Sequence, residues 1–160
     1  AEGTEQEVKI IVSKTKAKFI FPNSILTTKL IDGSFPDYKR VIPVGNDKII
    51  SVDVDLLSAA VDRVSTIASD KSRAIKLNIS AGQLVLSATN PDASSATEML
   101  EITYAGEPID IGFNARYLMD ILSQVQGEMI AIELADSGSP SLLRDPEDDT
   151  SIFVLMPMRV

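Results

Sequence analysis

The sequence predicts an α+β fold in which two helices pack on antiparallel sheets. The prediction starts from a repeat, because a strand, a helix and three strands follow one another twice from Lys48 onward. The two copies align with a spacing of 61 residues, which places Asn114 where Asp53 stands in the first copy. Repeated units of this size usually pack together, here around a pseudo-two-fold axis. Residues 48–160 are therefore predicted to form one domain from a duplicated βαβββ unit.

The first copy begins with a strand at 49–54, and either Asp53 or Asp55 is placed to cap the helix that follows. That helix is predicted over residues 56–68, with an apolar stripe at helical spacing. The stripe consists of Leu56, Leu57, Ala60, Val61 and Val64. Three strands are predicted after it, at 74–79, 84–88 and 99–104.

The second copy repeats this order with a strand at 109–113 and a helix that runs from the Asn114 cap to about residue 125. The buried face of this helix is predicted to consist of Leu118, Ile121, Leu122 and Val125. The three strands that complete the copy are predicted at 129–134, 141–143 and 152–156.

The residues before the repeat show a different organisation. Strand patterns occur at 8–12, 19–21 and 25–31, and Asp32-Gly33 is a turn signal. Pro36 and Pro43 argue against a central strand between them. The chain is therefore divided into terminal strands at 1–35, a linker at 36–47 and the duplicated domain at 48–160.

The composition excludes several classes of function. The 160 residues contain no Cys, His or Trp, so disulfide scaffolds, Cys/His zinc sites and triads based on His or Cys are excluded. No run of 18 apolar residues occurs, and no membrane association is predicted. With 15 basic and 23 acidic residues the net charge is −8, whereas tight binding to nucleic acid usually requires a basic surplus.

The nearest approach to a basic cluster is the alternation Lys14, Lys16 and Lys18, followed by Lys29, Lys39 and Arg40. This spacing is typical of the polar side of strands and not of a basic arm. Independent, tight binding to DNA is therefore not predicted.

Clusters of carboxylates are the main candidates for catalytic groups in this composition. Asp53 and Asp55 lie at a helix start, where helix capping is the ordinary role. The acidic run 145–149 is typical of a solvated hairpin loop. A magnesium site needs carboxylates that converge from different elements, so a carboxylate-metal hydrolase is kept only as an alternative and no cofactor is predicted.

Two further patterns receive structural interpretations. Five glycines stand alone in the sequence and indicate turns or helix ends, not a phosphate-binding loop. They are Gly82, Gly106, Gly112, Gly127 and Gly138. The serine-rich piece 93–96 follows the turn signal Asn90-Pro91-Asp92 and is predicted to be a surface hairpin.

The chain ends in an apolar run, residues 153–160, that contains Met-Pro-Met. Chain termini are usually polar, and methionine-rich surfaces adapt to varied partners. This end is therefore either a final core strand or one wall of a peptide-binding groove.

Two segments carry a resemblance to a known family. Residues 35–41, Phe-Pro-Asp-Tyr-Lys-Arg-Val, and residues 156–160, Met-Pro-Met-Arg-Val, resemble signatures of the bacterial sliding clamp, the β subunit of DNA polymerase III. The residues 112–114, Gly-Phe-Asn, also match, as do Tyr117-Leu118 and Asn90-Pro91. The resemblance covers nearly the whole chain. It implies a third clamp domain of DNA clamp fold, preceded at 1–35 by the last strands of a truncated middle domain.

The resemblance implies a non-catalytic processivity factor. In the family a homodimeric ring of six domains encircles duplex DNA and tethers the polymerase III α subunit, the clamp loader and other proteins that carry a clamp-binding motif. The resemblance also implies that the protein acts in the cytoplasm. A generic α+β interaction domain without a role on DNA remains the other alternative.

The family's peptide pocket receives segments of the Gln-Leu-x-Leu-Phe kind. The residues that match it are Pro36, Arg40, Val41, Asn114, Tyr117, Pro140, Val154, Met156, Pro157, Met158, Arg159 and Val160. Apolar walls suit Leu and Phe, while Arg40 and Arg159 can meet backbone carbonyls or acids. Pro140 falls where some members of the family have a small polar residue.

The resemblance places two further surfaces. The edge that pairs head-to-tail with the other subunit corresponds to Thr66 and Ile67 and to residues 92–98, including Asp92 and Glu98. The side facing DNA offers Arg63, Lys71, Arg73 and Arg116. Such a modest basic lining suits a protein that holds DNA topologically.

Overall fold

The computed structural model describes residues 7–68, 73–92 and 94–160. The chain divides into two compact units, Ala1–Asp37 and Tyr38–Val160. The second unit opens with a single turn of 3₁₀ helix at Tyr38–Arg40. Lys71 lies outside the described residues.

The first unit contains a three-stranded antiparallel sheet in the order β1-β2-β3. Its strands are β1 (Lys9–Val12), β2 (Lys16–Ile20) and β3 (Ile25–Lys29). A tight turn joins the first two strands, in which the Ser13 hydroxyl oxygen accepts a hydrogen bond from the Lys16 amide at 3.0 Å. All three strands were predicted, although β2 begins three residues earlier than its apolar pattern indicates.

The second unit contains two helices and eight strands among the described residues. Its first half consists of β4 (Lys48–Asp53), α1 (Val54–Ser65), β5 (Ala74–Ser80), β6 (Gln83–Thr89) and β7 (Ser95–Glu101). Its second half consists of β8 (Ile109–Asn114), α2 (Ala115–Leu122), β9 (Met129–Leu134), β10 (Ser141–Asp145) and β11 (Asp148–Leu155). This order confirms the duplicated βαβββ unit and the α+β class.

The two halves are joined by an exchange of their first strands. The sheets have the orders β11-β10-β9-β4 and β7-β6-β5-β8, so β4 completes the sheet of the second half and β8 that of the first. The exchanged strands pair in the same register. The last residue of β4, Asp53, lies opposite Met129, the first residue of β9, and the last residue of β8, Asn114, lies opposite Ala74, the first residue of β5. Neither half can form its sheet alone, which makes residues 48–160 one cooperative core.

The helix α1 begins directly after its N-cap residue. The Asp53 carboxylate accepts a hydrogen bond from the Leu56 amide at 2.9 Å, so Asp53 is the cap and Asp55 lies in the first turn. The helix starts two residues before the prediction and ends three residues before it. Leu56 was predicted to be buried but is 59 % exposed, because Val54, Leu57 and Val61 already define a stripe that leaves Leu56 at its solvent edge.

The helix α2 is capped by Asn114, whose side-chain oxygen accepts hydrogen bonds from the amides of Arg116 and Tyr117. It ends at Leu122 and not near residue 125, because the amides of Gln124 and Val125 donate hydrogen bonds to carbonyls three residues earlier, not four. Leu118 and Leu122 are buried as predicted, whereas Ile121 and Val125 are only half-buried.

Both helices pack on apolar sheet faces in a single core. The largest fully buried side chains include Leu57 and Leu118 from the helices and Ile50, Leu77 and Ile132 from the sheets. At about 25 cal/mol per Å² of buried apolar surface, this core is the main source of stability for the second unit. No helix among the described residues is long and apolar enough to cross a membrane.

One predicted strand is misplaced, because the third strand of the first half is β7 at Ser95–Glu101 and not 99–104. The predicted surface hairpin at the serine-rich piece is confirmed, since β6 and β7 pair antiparallel and the Asn90 amide donates to the Ser94 carbonyl in the turn between them. The pairing continues for one more residue, because the Ile102 amide donates to the Gly82 carbonyl, and Thr103 then bridges to Ser51 of β4 in the other sheet.

The acidic run 145–149 is not a solvated loop throughout. Asp145 ends β10 and is only 5 % exposed, and β11 begins at Asp148. The pairing register shifts between Arg144 and Asp145, which turns the Asp145 carboxylate inward.

Candidate peptide-binding groove

A groove of about 640 Å³ lies between helix α2 and the end of β11. The residues that line it are Asn114, Tyr117, Asp120, Ile121, Val154, Leu155, Met156, Pro157 and Met158. Apolar side chains dominate its surface, and Asn114 and Asp120 supply the polar groups at its edge. Pockets of this composition bind aliphatic and aromatic side chains and orient them with a few polar contacts.

One wall of the groove is the exposed face of α2. Tyr117, Asp120 and Ile121 stand at positions i, i+3 and i+4 of the helix, which places them on the same side. Tyr117 is 59 % exposed. A large aromatic side chain that remains this exposed beside an apolar groove is available for contact with a ligand.

The other wall is the carboxy-terminal segment. β11 ends at Leu155, and Pro157 lacks the amide hydrogen that would continue the ladder. The segment then crosses to β8, where the Met158 amide donates to the Gly112 carbonyl at 2.7 Å. The flexible side chains of Met156 and Met158 therefore lie at the groove on a fixed backbone.

Gly112 is what allows this crossing. It lies within β8, so its interpretation as a turn or helix-end residue is wrong. A Cβ atom at this position would lie 2.6 Å from the Met158 carbonyl oxygen and 2.6 Å from both methyl groups of Val160. Glycine inside an apolar strand often marks a close approach of another backbone, and that was the sequence signal for this residue.

The structure brings together six of the residues predicted for the pocket, namely Asn114, Tyr117, Val154, Met156, Pro157 and Met158. Arg159 and Val160 line an adjoining cleft with Lys76 and Asp110. In that cleft the Lys76 ammonium and the Asn78 amide lower the pKa of the Asp110 carboxyl.

The remaining predicted pocket residues are not among those that line the groove. Pro140 precedes Ser141, which pairs with Leu155, so Pro140 flanks the strand end next to the groove, and its carbonyl accepts from the Asn46 side chain at 3.1 Å. Arg40 and Val41 are exposed at the start of the second unit, and Pro36 belongs to the first unit. Sequence reasoning missed Asp120, Ile121 and Leu155 as lining residues.

A second candidate surface is the free edge of one sheet. β7 stands at the end of the order β7-β6-β5-β8, so one side of its backbone has no strand partner in this sheet. Thr66 is exposed and Ile67 half-buried at the end of α1, and Asp92 is exposed in the loop before β7. The Arg63 guanidinium ties α1 to this strand, with Nε 2.7 Å from the Glu98 carboxylate.

The ion pair between Arg63 and Glu98 leads to a prediction about the pKa of the Glu98 carboxyl. The hydrogen bond from Arg63 lowers the pKa of the Glu98 carboxyl, so the pair stabilises the folded state above the ordinary pKa of glutamate. That contribution is lost as the pH falls through the lowered pKa. In an NMR titration we expect the pKa of Glu98 to rise to its ordinary value in R63A and to stay low in R73A. An unchanged pKa in R63A would contradict the pairing.

The residues predicted to face DNA are partly brought together. Arg73 and Arg116 line one cleft between the end of α1 and the start of α2, together with Asp62 and Thr66. Arg63 donates to Glu98, which neutralises much of its charge. Arg73 has a positive φ of 46°, a conformation that non-glycine residues seldom adopt, and its carbonyl accepts from the Ala115 amide.

Three of the six carboxylates considered for catalysis, Asp53, Asp145 and Asp148, accept hydrogen bonds that hold the fold. Asp53 caps α1, and the Asp145 oxygens accept from the amides of Gly127 and Glu147, each at 2.9 Å. The Thr150 hydroxyl and amide donate to Asp148 and lower the pKa of its carboxyl. In the described part of the chain no group of three or more acidic side chains could hold a metal ion.

Comparison with known proteins decides the family. Residues 39–159 match the family described as the DNA polymerase III beta subunit, C-terminal domain. The chain belongs to this family. The match covers the groove, the two sheets and both helices of the second unit.

Relatives extend the similarity to the first unit. The beta sliding clamp of Caulobacter vibrioides is 47 % identical over 159 residues, which cover 99 % of this chain and 43 % of that protein. The beta sliding clamp of Escherichia coli strain K12 is 34 % identical over the same shares of the two chains. The chain therefore spans less than half of the length of these relatives.

Solved structures agree on the fold. A sliding clamp from Bartonella birtlesii bound to griselimycin superposes with a TM-score of 0.86 at 48 % identity, over 96 % of this chain and 41 % of that one. The DNA polymerase III subunit beta of Pseudomonas aeruginosa gives a TM-score of 0.88 at 36 % identity, over 99 % and 44 %. The predicted clamp fold is confirmed.

Proposed function

We propose that this chain supplies the third domain of a DNA polymerase III sliding clamp, preceded by the last strands of the middle domain. The observation that carries the proposal is the apolar groove between α2 and the carboxy-terminal segment. Its place in a chain of this family fits a docking site for partner peptides. The protein does no bond chemistry and acts as a tether.

The whole clamp would be a homodimeric ring that encircles duplex DNA in the cytoplasm. Its partners would be the polymerase α subunit, the clamp loader and other proteins with a clamp-binding motif. The unpaired edge of β7 supports the ring, because an open strand edge is a template for pairing with another subunit. Arg73 and Arg116 would face the duplex and contribute to weak, non-specific attraction.

The first unit supports the assignment of a truncated middle domain. One face of its sheet is apolar and carries Ile10, Val12, Ala17, Phe19 and Leu26, of which Val12 is 66 % exposed. An apolar sheet face needs a covering layer for stability. The rest of the middle domain would supply that layer.

The groove suits a peptide with alternating or adjacent large apolar side chains. Leucine and phenylalanine side chains would pack against Tyr117, Ile121 and Met156. Asn114 and Asp120 lie where they could hold the peptide backbone. Because one wall belongs to the missing part of the middle domain, binding to this chain alone is expected to be weak.

The test is a titration of fluorescein-labelled Gln-Leu-Ser-Leu-Phe against the chain, followed by fluorescence anisotropy. We expect saturable binding with a Kd of about 10–1,000 µM, or roughly −7 to −4 kcal/mol. The double variant M156A/M158A should lose this binding, because it removes most of one wall. The matched control M99A/M129A changes two methionines outside the groove and should bind like the wild type.

Equal binding by both double variants would contradict the groove as the docking site. Absence of binding at millimolar peptide would be decided with a longer protein that includes the middle domain. If that protein also fails to bind the peptide, the proposed function is wrong. If it binds and its M156A/M158A variant does not, the missing wall explains the first result.

A further inference from the structure

The charges of this chain are distributed unevenly between its two units. Residues 38–160 hold 10 basic and 18 acidic residues, a net charge of −8, whereas residues 1–37 hold five of each and are neutral overall. All five lysines of the first unit lie within residues 9–29. Its described acidic residues, Glu7, Asp32 and Asp37, lie outside the three strands.

The strand registers place four of these lysines on one face of the sheet. Lys16 lies directly opposite Lys29, and Lys18 lies two residues further along β2 on the same side. Lys9 shares this face because it pairs with Ile20, which is two residues beyond Lys18. The apolar face described above is the opposite side of the same sheet.

Three of the lysines are crowded together. Residues directly opposite each other have Cβ atoms about 5 Å apart, and alternate residues of a strand are separated by roughly 7 Å. Lys16, Lys18 and Lys29 therefore repel one another at short range. Within the described residues none of the four lysines on this face is paired with a carboxylate. A negatively charged ligand would relieve this repulsion.

The rest of this face consists of three isoleucines and Thr27, which lies opposite Lys18. Ile11 lies opposite Lys18, and Ile20 lies opposite Ile25 at the end away from the lysine cluster. Ile25 is 61 % exposed. Along the direction of β2 the face thus presents Lys16 beside Lys29, then Lys18 between Ile11 and Thr27, and then Ile20 between Lys9 and Ile25.

We propose that this face binds an acidic peptide segment in which aliphatic residues follow the acidic ones. Carboxylates would lie on Lys16, Lys18 and Lys29, and the aliphatic side chains would cover Ile20 and Ile25. A nucleic acid fits less well, because the described face carries no aromatic ring or guanidinium on which bases could stack. The surface is independent of the proposed groove, which is built from residues 114–158.

The test uses fluorescein-labelled Glu-Ser-Glu-Ser-Leu-Ser-Ile, whose acidic and aliphatic residues share one side of an extended strand. We expect saturable binding to the 160-residue chain in 20 mM salt, weakened about fivefold at 200 mM salt because salt screens exposed charges. The matched peptide with both glutamates changed to glutamine should not bind. Excess unlabelled Gln-Leu-Ser-Leu-Phe should not displace the acidic peptide.

Two variants with the same charge change locate the site. K18E at the centre of the cluster should weaken binding at least tenfold, whereas K39E in the second unit should stay within about twofold of the wild type. K18Q should give an intermediate loss, and circular dichroism would establish that each variant is folded. Equal losses in K18E and K39E, or binding of the glutamine peptide, would overturn the proposal.

Other occupants give different results. A 20-nucleotide oligothymidylate could bind the chain more tightly than the acidic peptide does. If K18E also abolished that binding, this face would be a nucleic-acid surface and the proposal would be overturned. Sedimentation that shows salt-sensitive dimers dispersed by K18E would make a second copy the occupant and would also overturn it. Displacement by Gln-Leu-Ser-Leu-Phe would place the acidic peptide in the groove instead.

Discussion

Replacing Gly112 with alanine is expected to weaken binding of the Gln-Leu-Ser-Leu-Phe peptide tenfold or more while the fold remains intact. The added Cβ atom would meet the Met158 carbonyl oxygen at 2.6 Å, and a backbone atom cannot move aside without moving its segment. The carboxy-terminal segment would lose its hydrogen bond to the Gly112 carbonyl, at a cost of about 1 kcal/mol. Met156 and Met158 would then leave the groove, and anisotropy titration would report the loss.

The matched control is G138A. A Cβ atom at Gly138 meets only an Asp136 carboxylate oxygen at 3.6 Å, which is ordinary contact, so this variant should bind the peptide like the wild type. Thermal unfolding of both variants should stay within a few degrees of the wild type. Full affinity in G112A would show that the crossing does not shape the groove.

Asp145 is expected to make the largest contribution to stability of any acidic residue in the run 145–149. Its two carboxylate oxygens each accept one backbone hydrogen bond, and they join the loop after α2 to the β10–β11 hairpin. In D145A the amides of Gly127 and Glu147 would lose their partners near a buried site. At about 1–3 kcal/mol for each unpaired group, we expect the free energy of unfolding to fall by about 2–4 kcal/mol. Urea denaturation would measure it.

D149A is the control, because Asp149 is exposed in the same hairpin and its loss should change stability by less than about 0.5 kcal/mol. D145N, which keeps one good acceptor, should fall between the two. A D145A midpoint equal to that of D149A would show that the carboxylate does not hold the loop, and the acidic run would again be a candidate for chemistry.

The periodic parts of the fold could be predicted from the sequence. The strands β9 and β4, the cap at Asn114 and the stripe around Leu57 follow from local patterns, because capping and amphipathic spacing involve only neighbours in the chain. The choice of Asp53 over Asp55 as the cap of α1 came from the structure. The end of α2 could not be placed correctly, since Ile121 and Val125 continue the helical period after the backbone has already turned.

Part of the candidate site could also be predicted. The terminal Met-Pro-Met segment, Asn114 and Tyr117 were identified through their resemblance to family signatures. Asp120 and Ile121 were missed because a helical face acquires a role only when another segment lies against it. The position of Lys16 opposite Lys29 likewise depends on strand register, although the alternation of lysines was visible in the sequence.

By itself the sequence determined the class of the fold, the duplication and the family to which the chain belongs. The tertiary structure alone decided that each half lends its first strand to the other, that Asp145 is buried and that Gly112 lies beneath the carboxy-terminal segment. These features join residues that are far apart in the chain, such as Gly112 with Met158 and Gly127 with Asp145. Local patterns report which face of an element is apolar, but the partner of that face is fixed only when the whole core packs.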